Sequence, residues 1–325
     1  MENILKIIKW AEELLLSKGY TINNPPDHIL TTPWSRVIRF LTSEGYFYLK
    51  QTVPTLSLEP VIIQTLHDTF RANVPILVSV NKDLNCFLMK DAGHSLRDSL
   101  KRHFEVDLLC EGIKKYTDIQ SAAVVYVNIF IEIGVPDWRL EKLPDLYKQL
   151  IAQSDFLKED GMTNDDLKIL HELHPKLSTF CKLLSQYKIP ETLDHCDFHE
   201  NNILIENTNN SQNMTIIDWG ETVITHPFFS LLRCLDQAVI HHKLTDTSSQ
   251  YLELQEACLE NWLEFEPKEK LIEAMLLAKK LWPIYSALGF YRLMISSNPE
   301  EFRAYYANRP ARLTAYFKEF IKNII

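Results

Sequence analysis

Two short segments, His195-Cys196-Asp197-Phe198-His199-Glu200-Asn201-Asn202 and Ile216-Ile217-Asp218-Trp219-Gly220, present three oxygen-bearing side chains in a set order: Asp197, Asn202 and Asp218. Phosphoryl transfer to a hydroxyl needs such a set. One carboxylate orients or deprotonates the attacking hydroxyl, and further oxygens hold magnesium against the phosphates of a nucleotide. Asp197 and Asn202 lie five apart, the spacing of the kinase catalytic loop HxDxxxxN, and Asp218-Trp219-Gly220 stands where a kinase carries DxG. A lone loop aspartate is more often a turn or cap residue. Two linked motifs in order are what carry the kinase reading. His195, Cys196 and His199 also offer nitrogen and sulfur donors suited to zinc, but three donors in five residues lack the spacing of a zinc site.

Elements to position these residues can be read on both sides of them. Ile4, Leu5, Ile7, Ile8, Ala11, Leu14 and Leu15 recur at helical spacing and Gly19 ends the run, predicting a first helix near residues 3–18. RVIRFLT and YFYLKQT, parted by Ser43-Glu44-Gly45, predict a β-hairpin. Pro60 fits the first turn of a helix, after which ILVSV and CFLMK predict two strands about an Asn-Lys-Asp turn. Beyond Asp91-Ala92-Gly93 the texture turns helical, with Ser95 as the cap of LRDSLKRHF and a helix from Tyr116 to Ile133. ILIEN and MTIIDW predict strands flanking the loop TNNSQN, and several long helices follow Pro227. The composition shift near residue 91 predicts two lobes, 1–90, small and β-rich, and 91–325, larger and mostly helical; on the kinase reading of the motifs the first would bind nucleotide and the second would carry catalysis and substrate.

HCDFHENNIL and IIDWGETVITHPFF resemble the aminoglycoside phosphotransferase and choline kinase-like families. The resemblance implies an α+β, bilobal protein-kinase-like fold and transfer of the γ-phosphate of ATP or GTP to a hydroxyl of a small molecule, with magnesium as cofactor. It makes Asp197 the catalytic base, Asn202 and Asp218 the magnesium ligands, and His195 a residue bracing the loop. Glu200 stands where a small residue or proline is common. The likeness extends upstream through YFYLK, the Glu59 helix and LMKDAG, and fades after about Leu232.

Further site residues follow from the kinase pattern. Lys50, ending the strand YFYLK, is the candidate to bridge the α- and β-phosphates, held forward by Glu59. Glu59 also stands at the start of its helix, where a carboxylate favours the positive end. The hairpin segment TTPWSRVIRF has none of the glycines of a GxGxxG loop, so the hydroxyls of Thr31, Thr32 and Ser35 are the candidates to cradle phosphate, with Arg36 adding charge. Met89, Lys90 and Ala92 would face the adenine ring at the hinge, where Asp91 either caps the next helix or contacts the nucleotide.

With 46% hydrophobic and 24% charged residues the chain is of ordinary globular composition. A net charge of −9 argues against a nucleic-acid partner, which would require a basic surface. Six cysteines stand singly, without a CxxC pair. The apolar stretch Ala122 to Ile133 is broken by Asn128 and falls short of the ~20 residues of a membrane span. A cytoplasmic protein with no membrane partner is the expectation. Glu253, Glu256, Glu260, Glu264 and Glu266, near Trp262, Trp282 and Tyr285, could bind an amine through charge and cation–π attraction. At their spacing they read better as a solvated helix face over core tryptophans. An alternative function is a catalytically silent kinase-like protein that binds nucleotide or metabolite and acts through a partner. A protein kinase ranks last, since no APE-like segment follows Asp218. The acceptor, the choice between ATP and GTP and the oligomeric state stay open at this stage.

Overall fold

Ile7, Ala11 and Leu15, one helical turn apart, form the fully buried stripe of α1 (Glu2–Ser17) and pack against Ile38, Phe40, Phe47, Leu49, Cys86 and Leu88. The structure, a computed structural model, describes residues 2–208, 211–307 and 312–324. The sheet under α1 has five antiparallel strands. They are β1 (Asp27–Thr31), β2 (Ser35–Thr42), β3 (Gly45–Thr52), β4 (Leu77–Asn81) and β5 (Cys86–Lys90), in the order β1-β2-β3-β5-β4.

The predicted hairpin closes with Thr42 opposite Gly45. Gly45 has a φ of +97° and takes the left-handed position of the turn. The Thr42 hydroxyl donates to the Gly45 carbonyl at 2.9 Å. α2 (Glu59–Phe70) crosses between β3 and β4, with Pro60 in its first turn. Asn81 holds the second predicted turn by accepting from the Leu84 amide at 3.1 Å.

The chain divides into two compact units, and the division is not one cut near residue 91. Met1–His94 is joined by Leu204–Gly220 and Met294–Tyr305, and the second unit comprises Ser95–Ile203, Glu221–Leu293 and Tyr306–Ile325. A two-residue strand, β6 (His94–Ser95), leads to α3 (Leu96–Leu100), α4 (Val106–Ala123), α5 (Val127–Glu132), α6 (Leu143–Ile151), α7 (Ser154–Glu159) and α8 (Asn164–Leu184). Then come β7 (Thr192–Asp194), β8 (Ile203–Thr208), β9 (Ser211–Ile216) and β10 (Val223–Thr225), and the chain ends in α9 (Phe228–His242), α10 (Ser249–Leu259), α11 (Lys268–Ser296), α12 (Pro299–Tyr306) and α13 (Arg312–Ile324). The tip of the predicted loop TNNSQN, residues 209–210, lies outside the described residues.

Three local expectations need correction. Ser95 stands at the cap position of α3 but its side chain does not cap; its hydroxyl donates to Asn201 Oδ1 at 3.2 Å. The helix expected from Tyr116 to Ile133 ends at Ala123, passes through a 3₁₀ turn at Val124–Tyr126 and resumes as α5. Three β-branched residues within four positions, Val124, Val125 and Val127, weaken helix there. Asp91 accepts from the Gly93 amide at 3.1 Å and so closes a local turn rather than capping α3. Among the described residues no helix is long and apolar enough to cross a membrane.

Candidate active site

The first group of site residues lies in the unit that holds the five-stranded sheet. Alternation along β3 sends Phe47 and Leu49 into the core beneath α1 and Lys50 to the opposite face. There Lys50 Nζ lies 2.8 Å from Glu59 Oε1 and 2.5 Å from Asp218 Oδ1, and only 6% of the lysine is exposed. Lys50, Glu59 and Asp218, predicted separately, are therefore brought together. Glu59 is buried at the first position of α2, and it pairs with Lys50 there instead of serving the helix end alone.

Burial opposes the charge on Lys50, but Asp218 and Glu59 outweigh it and hold the ammonium well above its ordinary range. Burial also pushes the Glu59 carboxyl up to about 7, with Lys50 pulling it the other way. Gly220 gives Glu59 its room: a Cβ there would stand 3.1 Å from Glu59 Oε2. Asp218 itself has a φ of +69°, left-handed backbone that a non-glycine residue adopts at a cost of about 1–3 kcal/mol and that concentrates at functional sites. Its side chain is 43% exposed despite the lysine contact, so the carboxylate can reach a ligand.

The second group lies in the helical unit. β7 pairs with β10 and delivers the chain to His195. The His195 amide donates to the Tyr116 hydroxyl at 3.0 Å, and its ring meets Tyr116 and Phe198 edge-on, within a stack in which Tyr116 and Phe198 are 4.0 Å apart. His195 is fully buried and supports the loop from beneath. Just beyond it, Asp197 receives three partners. Arg233 Nε of α9 approaches Oδ1 at 3.3 Å, His199 Nε2 stands 3.3 Å from Oδ2, and Asn202 Nδ2 donates to the Asp197 carbonyl at 2.9 Å. His199 Nδ1 accepts from the Asn201 amide at 3.2 Å, which assigns the ring proton to Nε2, facing Asp197. Burial would raise the Asp197 carboxyl, but His199 and Arg233 outweigh it and hold it well below the usual carboxylate range.

His199 is thus committed to its own loop and does not converge with Cys196 into a zinc site. Each unit by itself also presents a hard oxygen donor. Asp218 offers an exposed carboxylate, and Asn202, whose amide nitrogen is spent on Asp197, offers an amide oxygen; both are the hard donors that magnesium prefers.

The remaining predicted residues fall as follows. Ser35 opens β2 opposite Thr52, and its amide donates to Thr32 Oγ1 at 2.9 Å, so its N–H is committed to the turn around Pro33 and Trp34. Trp34 is itself flanked by Tyr305 at 5.5 Å and Phe302 at 6.2 Å. Arg36 donates to Gln51 across the hairpin at 3.4 Å. Met89 and Lys90 end β5, with Met89 opposite Tyr48 and Lys90 exposed, and Ala92 follows in the loop. Gly93, with a φ of +104°, lies so close to β8 that a Cβ would come within 2.0 Å of the Ile205 carbonyl oxygen.

Several supporting residues were not foreseen. Asp194 is fully buried and accepts from the Ser230 hydroxyl at 2.6 Å, the Cys196 amide at 3.2 Å and the Tyr285 hydroxyl, while burial pushes its carboxyl up to about 6. Tyr285 therefore serves this core network rather than an ammonium site. Glu200 is 2% exposed, with Arg97 Nε at 2.9 Å on one oxygen and His242 Nε2 at 2.7 Å on the other. Glu253, Glu256, Glu260 and Glu264 are exposed and Trp262 is fully buried, the solvated-face arrangement. A different set of acids, Asp236, Asp246 and Glu319, lines a groove of about 420 Å³ with Tyr251, Trp282 and Lys279. Its wall on α9 is Leu232, Leu235, Asp236 and Val239, one helical face, and Arg233 is the next residue after Leu232.

The model of the phosphotransferase enzyme family matches residues 131–267. Solved structures similar to this chain include a GDP complex of aminoglycoside 2′-phosphotransferase-IIIa, at TM-score 0.61 and 14% identity, covering 98% of this chain and 97% of that one. Choline kinase LicA from Streptococcus pneumoniae aligns at TM-score 0.59 and 13% identity over 98% of this chain and 99% of that one. An ethanolamine kinase of Plasmodium vivax aligns at TM-score 0.57 and 11% identity over 93% and 82%. No curated protein is similar enough in sequence to match. At these identities the likeness shows the fold: a β-sheet N-terminal region and a helical C-terminal region of the protein-kinase-like type.

Proposed function

We propose that this chain is a phosphotransferase that moves the γ-phosphate of ATP or GTP to the hydroxyl of a small molecule bearing an amine. The observation that carries the reading is Lys50 seated between Glu59 and Asp218, the lysine and two carboxylates that phosphoryl transfer on this fold requires. The family match over residues 131–267 supports it, as does the likeness to an aminoglycoside 2′-phosphotransferase, an ethanolamine kinase and a choline kinase.

In this reading Lys50 binds the α- and β-phosphates, with Glu59 fixing its direction, while the β1–β2 turn with Ser35 and the segment Met89, Lys90 and Ala92 take the rest of the nucleotide. Asp218 and Asn202 are the residues that would offer oxygen ligands to magnesium, and its charge would screen the phosphates. Asp197 accepts the hydrogen of the acceptor hydroxyl. Held ionised by His199 and Arg233, it is a weak base, so its work is to aim the hydroxyl and to receive the proton late, as the oxygen bonds to phosphorus. The groove supports the choice of acceptor. Asp236, Asp246 and Glu319 outnumber Lys279, and Tyr251 and Trp282 offer ring faces, a lining that favours a cation.

The test is release of ADP or GDP by the purified chain with magnesium and a panel of amino alcohols, aminoglycosides and sugars. Turnover that needs an amine-bearing acceptor and is lost in Asp197→Ala supports the reading. Nucleotide binding with no transfer to any acceptor would support the catalytically silent alternative instead.

A further inference from the structure

We infer that Glu200, with Arg97 and His242, is a positioning clamp that fixes the loop bearing Asp197 and Asn202 to α9, and so to the wall of the acid-lined groove. The inference rests on the phosphotransferase reading for its kinetic consequence and on geometry alone for the clamp.

Glu200 begins the single 3₁₀ turn, Glu200–Asn202, that follows Asp197 in the loop. A carboxylate that is 2% exposed needs both of its oxygens satisfied. Arg97 of α3 supplies one partner and His242, in the last turn of α9, the other. Each partner is itself held. Arg97 Nη2 reaches Gln237 Oε1 of α9 at 3.4 Å, and the His242 ring stacks on Phe104 with centroids 4.1 Å apart. The His242 side chain is 5% exposed and that of Arg97 15%, so the cluster is screened from water and each contact is stronger than a surface pair.

α9 consequently grips the loop at two levels. Arg233 holds the Asp197 carboxylate, and further along the helix Gln237, about one turn on, and His242, about two and a half turns on, hold Arg97 and Glu200. On the same helix, Leu232, Leu235, Asp236 and Val239 face the groove. A rigid helix fastened at both levels keeps one distance between whatever occupies the groove and Asp197. A small residue or proline at 200 could not make either bond. Glu200 touches no reacting atom in this account; it acts through the loop.

The experiment compares the full chain with Glu200→Gln and with Arg97→Lys, which retains the charge but loses the guanidinium bond. Glu253→Gln, at an exposed position, serves as the control. Hydrogen exchange of the peptide spanning residues 194–203 reads the clamp, and steady-state kinetics on an amino alcohol that the wild type phosphorylates read its consequence. Expected are at least tenfold faster exchange in that peptide and a kcat reduced about tenfold or more, with the KM for nucleotide within about twofold. Arg97→Lys supplies the result should Glu200→Gln not fold. Unchanged exchange in the variants overturns the clamp. Faster exchange with an unchanged kcat, or a loss confined to KM, overturns the positioning role. A wild-type chain that transfers phosphate to no acceptor sinks the phosphotransferase reading instead, and exchange still decides the clamp.

Discussion

Arg233 Nε lies 3.3 Å from Asp197 Oδ1, although 36 residues separate the two in the chain. The guanidinium is mostly buried, with 22% of its side chain exposed, and the bond ties the proposed base to the helix that walls the groove. Arg233→Gln is expected to lower kcat by about 10- to 100-fold, since a hydrogen bond to a charged group contributes about 1.5–3 kcal/mol. Steady-state kinetics on the best acceptor check it. An unaltered kcat would mean that Arg233 has no part in aiming Asp197.

Lys50→Met leaves Glu59 and Asp218 without their shared cation. Nucleotide affinity is expected to fall at least tenfold by calorimetry. Stability is expected to fall by about 3–5 kcal/mol, the cost of breaking a buried pair, which applies to Glu59 and adds little at the partly solvated Asp218. Glu59→Gln should weaken affinity less than Lys50→Met. Equal affinity in all three proteins would remove Lys50 from the nucleotide site.

His226 gives the fold an acid sensitivity of its own. It is 1% exposed, its Nδ1 accepts from the Phe228 amide at 3.3 Å, and burial holds its pKa down at about 3. Above about 6.5 the ring is neutral whether the chain is folded or not, and its contribution is fully present. As pH falls below that value the unfolded chain takes up a proton that the folded chain refuses, so stability drops by about 1.4 kcal/mol per pH unit. His226→Asn keeps an acceptor for Phe228 and cannot titrate. Urea unfolding between pH 7.5 and 5.5 should show the variant losing about 1 kcal/mol less than the wild type on acidification. Parallel losses would show that His226 is protonated in the folded state.

Gly93→Ala tests the approach of the 91–93 turn to β8. A left-handed φ and a Cβ within 2.0 Å of the Ile205 carbonyl oxygen leave no local way to relax. The variant is expected to lose at least about 2 kcal/mol, read as a lowered Tm. A neutral substitution would mean that β8 can shift away from Gly93.

Much of this site was legible because its signals are local. The alternation in YFYLK, Pro60 beside Glu59, the spacing of Asp197 and Asn202, and Asp218-Trp219-Gly220 each occupy a few neighbouring residues, and the Lys50–Glu59 pair, nine residues apart, follows once strand and helix form, whereas Asp218, 168 residues from Lys50, joins it only through tertiary packing. Glu200 was visible as a departure from the expected small residue, but its purpose was not. Its partners, Arg97 and His242, lie 103 and 42 residues away, and no local pattern couples them. The same holds for Tyr285, whose place beside acidic helices suggested a ligand site until packing put its hydroxyl on Asp194. Groove acids on α9 and α13, with Asp246 between α9 and α10, belong together only through tertiary contact, whereas the acids of α10 were conspicuous because they are adjacent in sequence.

Phosphorus NMR of a reaction holding the chain, ATP or GTP, magnesium and an amino alcohol reads phosphate transfer itself. A phosphotransferase gives a new phosphomonoester resonance on the acceptor, growing in step with the nucleoside diphosphate and absent with Asp197→Ala. Formation of inorganic phosphate alone, or no change across the whole acceptor panel with a folded, nucleotide-bound chain, would contradict it.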